Sequence, residues 1–332
     1  MARVILHIGT HKTATTTIQN TFAANRALLA RHGVIYPDLG RVAGHHGLVM
    51  QWLPLPSVYE LPGGAAAGWA RVGALARKSG VVFLSSEEFS RGQPLPRVDL
   101  RELRRHLAPF DRIEVLCTLR DQLSYLQSIY LEVSKKHVPP PWPTFLANSL
   151  ASGFGAGLFL DFNALDDFLR GAFARDEIKY LDFASSQARP GGILGEVLRQ
   201  AGTQLTPGDL TAVDNGAANV SPDPLAAWAA NQIAAPYPAP PDLVSLASAT
   251  PREELEQGVR TTIYTRAEEA RLLGHFAPLN ARFVERITQT APDFRLTMPS
   301  PPRKRLYRDD VGPAFWIRMA RRLHARDRLA PA

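Results

Sequence analysis

Short apolar runs that alternate with helical segments constrain the fold of this chain more than any other feature. The first run, Arg3–Ile8, carries β-branched residues and ends at Gly9, which is typical of a buried strand. From Thr15 to Arg31, apolar side chains recur at roughly helical spacing, and Gly33 follows as a stop signal. The N-terminal segment is therefore predicted to form a strand, a tight loop and a helix.

The same alternation continues through the first half of the chain. Further apolar runs predict strands at Val81–Leu84, Arg112–Leu119 and Glu177–Leu181, with a shorter extended piece at Val34–Tyr36. Helices are predicted between and around them at Trp69–Lys78, Leu100–Leu107, Asp121–Ser134 and Ala164–Ala174. This order is typical of an α/β protein in which helices cover both faces of a mostly parallel sheet. We therefore predict a P-loop-like fold of three layers.

Beyond about residue 192 the strand signal fades and the chain is predicted to be helical. The expected helices are Ile193–Gln200, Leu225–Ile233, Arg252–Leu273 and Leu279–Thr290, with Pro-rich linkers at 236–241 and 299–302. The sequence predicts one α/β domain over residues 1–300, with the sheet core at about 1–185 and the helical part at about 190–295. Residues 301–332 would form a basic C-terminal tail.

The net charge of +7 is concentrated in this tail. Between Arg303 and Arg328 nine basic residues face three aspartates, so the first 302 residues are near neutral. This distribution argues against a basic domain that binds nucleic acid. A helix starting near Pro313 would separate its arginines from an apolar face made of Trp316, Met319, Ala320 and Leu323. Such a helix suits an anionic lipid surface or a patch that binds an acidic glycan; the alternative is docking onto the protein with its arginines in solvent.

Cysteine content and hydropathy bound the cellular setting. The single cysteine, Cys117, rules out an internal disulfide and any metal cage built from cysteines, and its place within a strand indicates a core residue. No apolar run approaches the roughly 18 residues of a membrane-spanning helix. The N-terminal run is interrupted by His7 and does not resemble an export signal. We therefore expect a cytoplasmic protein.

The loop after the first strand carries the chemistry of an anion cradle. A turn between a strand and a helix aims backbone N–H groups and the positive end of the helix dipole at one ligand. Here Lys12 adds a full positive charge, and the hydroxyls of Thr13, Thr15, Thr16 and Thr17 add donors. No second glycine precedes Lys12, so this is not a nucleoside-triphosphate loop of the usual type. The alternative is a Thr-rich helix cap beside an incidental lysine.

A second anion site is predicted where the third strand ends. Arg120 would emerge at the carboxyl edge of the sheet, where open α/β sheets bind ligands. Ser124 and Ser128 are four residues apart on the following helix and share a face. An arginine at the strand end and Ser128 can therefore converge on one anion. The alternative is an Arg120–Asp121 ion pair with a solvent-facing serine.

Together the two segments resemble sulfotransferases that use 3′-phosphoadenosine 5′-phosphosulfate (PAPS). The segment from His11 to Thr16 looks like that family's 5′-phosphosulfate loop, and the spacing from Arg120 to Ser128 matches its 3′-phosphate pattern. The opening of the chain looks most like bacterial carbohydrate-type members. The resemblance covers residues 3–30 and 80–135 and is looser to about residue 235. Ala14 stands where the family usually has glycine, and we expect helical geometry there, which alanine adopts without cost.

This resemblance implies a role for each residue of the two sites. Lys12 would neutralise the leaving bisphosphate, while the loop residues His11, Thr13, Ala14, Thr15 and Thr16 would line the 5′ end of the donor. Arg120 and Ser128 would hold the 3′-phosphate, which distinguishes PAPS from ATP. The acceptor would be a hydroxyl of a saccharide or glycolipid, and no metal is required. The polar residues Asn215, Asn219 and Ser221 are a weaker suggestion for the adenosine side.

The acceptor hydroxyl needs a general base, and two segments could supply one. One is the loop after the first helix, with His45 and His46; the other is the end of the second strand, with Glu87 and Glu88. Glu87 and His46 are nearly equal candidates. Histidine titrates near neutral pH without much tuning. Glu87 lies at a strand end on the ligand edge of the sheet but would need burial to raise its pKa. The alternatives are a flexible histidine pair and carboxylates that cap a helix.

Two other functions remain open on the sequence. A P-loop-like kinase that uses ATP and Mg²⁺ shares the strand, loop and helix, but it predicts a second loop glycine and a metal-binding acid. A non-catalytic nucleotide-binding protein could keep the cradle without the reaction. The leading interpretation is a cytoplasmic sulfotransferase, with its tail at the inner face of the membrane as a further hypothesis.

Overall fold

The structure, a computed structural model, describes residues 2–92, 97–213, 223–252, 259–298 and 305–329. The linker at 299–302, the basic pair Arg303 and Lys304, and the three residues suggested for the adenosine side lie outside these ranges. The chain divides into two compact units. The first comprises Met1–Asp121, Gly157–Asn219 and Pro278–Thr297, and the second comprises Gln122–Ala156, Val220–Ala277 and Met298–Ala332.

A parallel sheet of five strands forms the centre of the first unit. Its strands are β1 (Ala2–His7), β2 (Val34–Ile35), β3 (Gly80–Ser85), β4 (Arg112–Leu119) and β5 (Ile178–Asp182). They lie in the order β2-β3-β1-β4-β5, and every neighbouring pair is parallel. The chain therefore brings the carboxyl ends of β3, β1 and β4 side by side at one edge. The predicted α/β fold class is confirmed.

Helices of the first unit flank this sheet. They are α1 (Thr15–Ala24), α2 (Arg26–Arg31), α3 (Gly64–Ala74), α4 (Leu100–Leu107), α7 (Phe162–Arg170), α8 (Phe183–Ala188) and α9 (Gly192–Gln200). Those assigned to the second unit are α5 (Gln122–Val133), α6 (Trp142–Ser152), α10 (Pro224–Ala234), α11 (Pro241–Arg252) and α13 (Pro313–Leu329). Helix α12 (Arg266–Thr288) contains Pro278, where the chain returns to the first unit.

The core of the first unit joins the sheet to α1 and α9. Ile5 and Phe83 from neighbouring strands pack with Phe22 of α1 and Val197 of α9, and all four are almost completely buried. Burying a side chain of this size contributes about 1.5–3 kcal/mol each. This packing fixes the start of α1 against the carboxyl end of β1, which is where the predicted cradle lies.

The predicted helix from Thr15 to Arg31 is divided into α1 and α2 at Asn25. The Asn25 amide nitrogen donates to the Thr21 carbonyl at 2.8 Å and to the Thr211 carbonyl at 3.0 Å. Its amide oxygen accepts the Thr211 N–H at 2.9 Å. The break between α1 and α2 is therefore stabilised by Thr211, which is distant in sequence, and helical periodicity cannot predict such a contact.

The predicted helices 252–273 and 279–290 are wrong in their bounds. A single helix, α12, begins at Arg266 and continues through Pro278. Its start is set by a capping box, because Thr265 Oγ1 accepts the Glu268 N–H at 3.1 Å and Glu268 Oε2 accepts the Thr265 N–H at 2.9 Å. The Thr-x-x-Glu pattern at residues 265–268 would have predicted this start. Helix α6 was also not predicted from the sequence.

The C-terminal helix α13 docks within the second unit. Phe315 and Met319 are buried in a cluster with small side chains of α10 and α11, including Ala226 and Ala247. Trp316 is half-buried, with its ring centroid 6.0 Å from that of Trp228. Of the face that suggested a lipid-bound helix, Met319 is buried, Trp316 and Leu323 are half-buried, and Ala320 is exposed. The burial of Met319 favours the docking alternative. None of the helices in the described ranges is long and apolar enough to cross a membrane.

Candidate functional site

The loop between β1 and α1 is held against the end of β4 by backbone and hydroxyl bonds. The N–H groups of Ile8 and Thr10 donate to the carbonyls of Leu116 and Thr118 at 3.0 and 2.8 Å. The Thr10 hydroxyl donates to the Thr118 carbonyl at 3.1 Å, and the Thr13 hydroxyl donates to the Thr10 carbonyl at 2.5 Å. The hydroxyl hydrogens of Thr10 and Thr13 therefore shape the loop.

Three residues of the loop adopt left-handed backbone geometry. Gly9, Lys12 and Ala14 have φ angles of +80°, +60° and +64°. A Cβ on Gly9 would lie 2.8 Å from the Cβ of Glu87, so only glycine allows the loop to pass this close to β3. The expectation of helical geometry at Ala14 is wrong, because Ala14 precedes the helix as a left-handed cap residue. An L residue pays about 1–2 kcal/mol for that geometry.

The first turn of α1 faces the loop. Thr15 is its first residue and is buried, while Thr16 is exposed and Lys12 is half-buried. The N–H groups of a first helical turn have no partners within the helix, and the helix dipole is positive there. An exposed hydroxyl, these N–H groups and a lysine are thus presented by one short segment.

Arg120 lies beside the lysine loop. It follows β4 directly, and its guanidinium donates to the Lys12 carbonyl at 3.0 Å. The guanidinium carbon also lies 5.6 Å from the ring centroid of Phe183. The structure therefore brings the two predicted cationic residues together at the carboxyl edge of the sheet. Ser128 is on α5, which belongs to the second unit, and its pairing with Arg120 stays a prediction.

Glu88 ties the loop to the end of β3. Its carboxylate lies 3.2 Å from His11 Nε2 and accepts the Arg91 Nε–H at 2.6 Å. Burial alone would raise the pKa of the Glu88 carboxyl, but His11 and Arg91 hold it far below its usual range. Glu88 therefore anchors His11 through a hydrogen bond and pairs with Arg91, a partner that the sequence analysis had not identified.

Glu87 lies next to the loop with its carboxylate held from α1. The Gln19 amide nitrogen donates to Glu87 Oε2 at 2.9 Å. Burial acts to raise the pKa of Glu87, but its electrostatic interactions with the two neighbouring histidines, His11 and His46, and the hydrogen bonds to the carboxylate outweigh burial, so the pKa is lowered. The sequence analysis required burial to raise this pKa if Glu87 was to act as the base, and the net direction in the structure is the opposite. Glu87 is therefore held as an ionised carboxylate.

The two histidines of the loop after α1 are both buried, and they differ in their bonding. His45 Nε2 donates to the Pro37 carbonyl at 3.0 Å, and its Nδ1 accepts the Ser85 N–H at 2.9 Å. Burial lowers the pKa of His45 to about 4, so it stays neutral with both ring nitrogens in use. His46 Nδ1 lies 2.9 Å from the Ser86 hydroxyl, and its ring centroid is 4.8 Å from that of Tyr59.

Several polar residues around Glu87 were missed by the sequence analysis. Ser85 Oγ lies 2.9 Å from His7 Nδ1 and accepts from the Gln19 amide at 3.3 Å. Burial lowers the pKa of His7 to about 4, so this histidine is also neutral. The Ser-Ser pair before Glu87 was visible in the sequence, but His7 and Gln19 sit in apolar segments, where polar residues give no functional signal of their own.

The arrangement suits transfer of an anionic group to a hydroxyl. Lys12, Arg120 and the start of α1 offer positive charge to an anionic donor, while Glu87 offers a proton acceptor beside them. Over the part of the chain that is described, no cluster of three His, Cys, Asp or Glu side chains could hold a metal ion. Cys117 is buried, which raises the pKa of its thiol, as expected for a core residue.

Comparison with known proteins gives a likeness of fold among solved structures. No family model matches the chain, and no curated protein matches it. Among solved structures it is similar to a sulfotransferase from Alicyclobacillus acidocaldarius, with 12% identity and a TM-score of 0.46. The likeness covers 85% of this chain and 94% of the other. A likeness at this level carries no argument about activity, so any function must be inferred from the residues of the site.

Proposed function

We propose that this protein is a PAPS-dependent sulfotransferase that sulfates a hydroxyl group, of a saccharide or glycolipid. The observation that supports it most is the 3.0 Å bond from Arg120 to the Lys12 carbonyl, which brings these two residues together within the first unit. The two segments that carry them follow neighbouring parallel strands of the sheet. A donor with two separate anionic groups fits this pairing better than a single phosphate.

Lys12 and the first turn of α1 stabilise the charge that develops on the leaving group. In-line transfer forms a bond from the acceptor oxygen to sulfur as the bond from sulfur to the 5′-phosphate oxygen breaks. The negative charge moves onto adenosine 3′,5′-bisphosphate, and Lys12 neutralises it while Thr16 and the loop N–H groups donate to the same end. The acceptor proton passes to one of the two candidate bases, Glu87 or His46.

The remaining site residues support this geometry. Arg120 takes the 3′-phosphate, with Ser128 as its partner predicted from the sequence. Thr13 and His11 hold the loop in shape through the bonds to Thr10 and Glu88, and Ala14 turns the chain into α1. A cytoplasmic location, with the basic tail near anionic lipid, completes the proposal. Because Met319 on the apolar face of α13 is buried, we expect lipid contact to be mainly electrostatic.

Ligand binding tests the proposal before an acceptor is known. At a concentration one hundred times its Kd, a ligand adds about 2.7 kcal/mol of stability, which raises the melting temperature by several degrees. Adenosine 3′,5′-bisphosphate should give this shift and ATP with Mg²⁺ should not. Lys12→Ala and Arg120→Ala should each lose the shift, while Lys78→Ala, a change at an exposed lysine, should keep it.

Transfer of labelled sulfate from PAPS to a panel of saccharides and glycolipids then tests the reaction. Lys12→Ala should reduce transfer at least a hundredfold, since it removes charge stabilisation specific to the transition state. A larger shift with ATP than with the bisphosphate would instead favour a kinase. Binding of the bisphosphate together with transfer that Lys12→Ala leaves unchanged would contradict the proposed mechanism.

A further inference from the structure

We infer that Gln19 is the positioning residue that makes Glu87, rather than His46, the proton acceptor of this site. The inference rests on the proposed function and deepens it, because the two candidates are equal on sequence. It is carried by hydrogen-bond geometry around three side chains that come from α1, from the loop after α1 and from the end of β3. Each group has a fixed number of protons to donate, and counting them separates the two candidates.

Gln19 donates both of its amide hydrogens to residues at and just after the end of β3, Ser85 and Glu87. It is only 3% exposed, and its Nε2 donates to Glu87 Oε2 at 2.9 Å and to Ser85 Oγ at 3.3 Å. A primary amide has two N–H groups, so this donor is fully used. The bond fixes Oε2 of Glu87 on the α1 side and occupies one of its lone pairs, so we expect the proton from the acceptor to go to Oε1.

The Ser86 hydroxyl decides where His46 carries its proton. Ser86 Oγ accepts the Glu88 N–H at 3.3 Å and lies 2.9 Å from His46 Nδ1. When the Ser86 hydroxyl hydrogen points at Nδ1, Ser86 accepts from the Glu88 N–H and donates to His46, so both hydrogen bonds have one donor and one acceptor. Nδ1 is then an acceptor, and the neutral ring carries its proton on Nε2.

The other ring nitrogen of His46 lies close to the backbone at Gly44. An ideal Cβ on Gly44 would lie 2.5 Å from His46 Nε2, so only glycine fits beside the ring there. With Nδ1 accepting and Nε2 protonated, His46 has no lone pair left for the acceptor hydroxyl.

Glu87 keeps its charge because of the groups around it. The neighbouring His11 favours its ionised form, and the hydrogen bond from Gln19 acts in the same direction. The other titratable groups that face it are its neighbour Glu88 and the side chains of His7, Tyr36, His46 and Tyr59. Removing the Gln19 amide leaves the carboxylate with one donor fewer, so its proton affinity rises and its orientation is lost.

The test compares Gln19→Met with Asn20→Met. Methionine matches the length of glutamine without its donors, and Asn20 is turned about 100° away on the same helix. Gln19→Met should lower kcat/KM about 10- to 100-fold and move the acidic limb of its pH profile to higher pH, with the Kd for adenosine 3′,5′-bisphosphate unchanged. Asn20→Met should leave all three near wild type. Glu87→Gln should abolish the acidic limb, and His46→Asn should retain it.

Two readouts on the protein do not depend on an acceptor. Nitrogen-15 chemical shifts of His46 in the wild-type protein should report a proton on Nε2, and carbon-13 titration should show a higher Glu87 pKa in Gln19→Met. A proton on Nδ1 of His46, or a Glu87 titration that Gln19→Met leaves unmoved, overturns the inference even if PAPS is the donor. Failure to bind the bisphosphate would instead remove the proposed function, and with it any base at this site.

Discussion

Replacing Ala14 with glycine would measure the conformational cost of left-handed backbone geometry at this residue of the candidate site. Ala14 has φ of +64° and ψ of +25° and stands immediately before the first residue of α1. Left-handed geometry costs alanine about 1–2 kcal/mol, whereas glycine adopts it freely but loses about 0.5–1 kcal/mol more entropy on folding. Losing the half-buried methyl costs a few tenths of a kcal/mol more. We therefore expect Ala14→Gly to stabilise the protein by about 0.5 kcal/mol.

The same substitution elsewhere in the first unit should have the opposite sign. Ala70 is exposed and lies in the interior of α3, where glycine costs about 1 kcal/mol relative to alanine. The two variants should therefore differ by about 1.5 kcal/mol in the free energy of unfolding, the sum of the two estimates. Both positions belong to one compact unit, so they report on the same transition.

Urea unfolding followed by circular dichroism measures this difference, and the melting temperature should follow it at about 2–4 °C per kcal/mol. Spectra of the folded variants control for changes in helix content. A loss of stability in Ala14→Gly as large as that in Ala70→Gly would refute the reasoning. It would mean that residue 14 has right-handed geometry in solution, as the sequence analysis had expected.

Three further predictions concern stability and the tail. Burial lowers the pKa of His7 and His45 to about 4, below the unfolded value near 6.5. The unfolded state therefore binds more protons in this window, and stability should fall by up to about 3 kcal/mol per histidine as the pH drops from 6.5 to 4. Asp166→Asn should cost about 2–4 kcal/mol, since a buried carboxylate there holds two arginines and a tyrosine. Met319→Ala should cost about 2–4 kcal/mol, whereas exposed Arg321→Glu should cost under about 0.5 kcal/mol.

Urea titrations at pH 4.5 and 7 check the first of these, with His45→Gln expected to flatten the pH dependence. An unchanged pH slope in that variant would show that His45 protonates without cost. Equal stability of Asp166→Asn and wild type would contradict a charged network at this position. For the tail, sedimentation with anionic vesicles separates the two surfaces of α13. If Met319→Ala weakens lipid binding while Arg321→Glu does not, the apolar face is not docked as the structure has it.

Local sequence signals predicted the strands and the position of the loop, because those signals act between neighbouring residues. Runs such as Arg112–Leu119 are apolar enough to require burial, and Gly9 marks where the first strand ends. The break at Asn25 could not be predicted in this way, since the partner that holds it is Thr211. The start of α12 at Thr265 could have been predicted, because its capping box is written in four consecutive residues.

The sequence by itself determined the fold class, the strand-loop-helix with its lysine, and the short list of ionisable residues beside it. Only the tertiary structure decided what each of those residues does. In the folded protein Glu88 anchors His11, both ring nitrogens of His45 are hydrogen-bonded, and Gln19 donates to Glu87. The physical reason is that a residue's type sets which protons it can give or take, whereas burial and partners distant along the chain set which of them remain to be used.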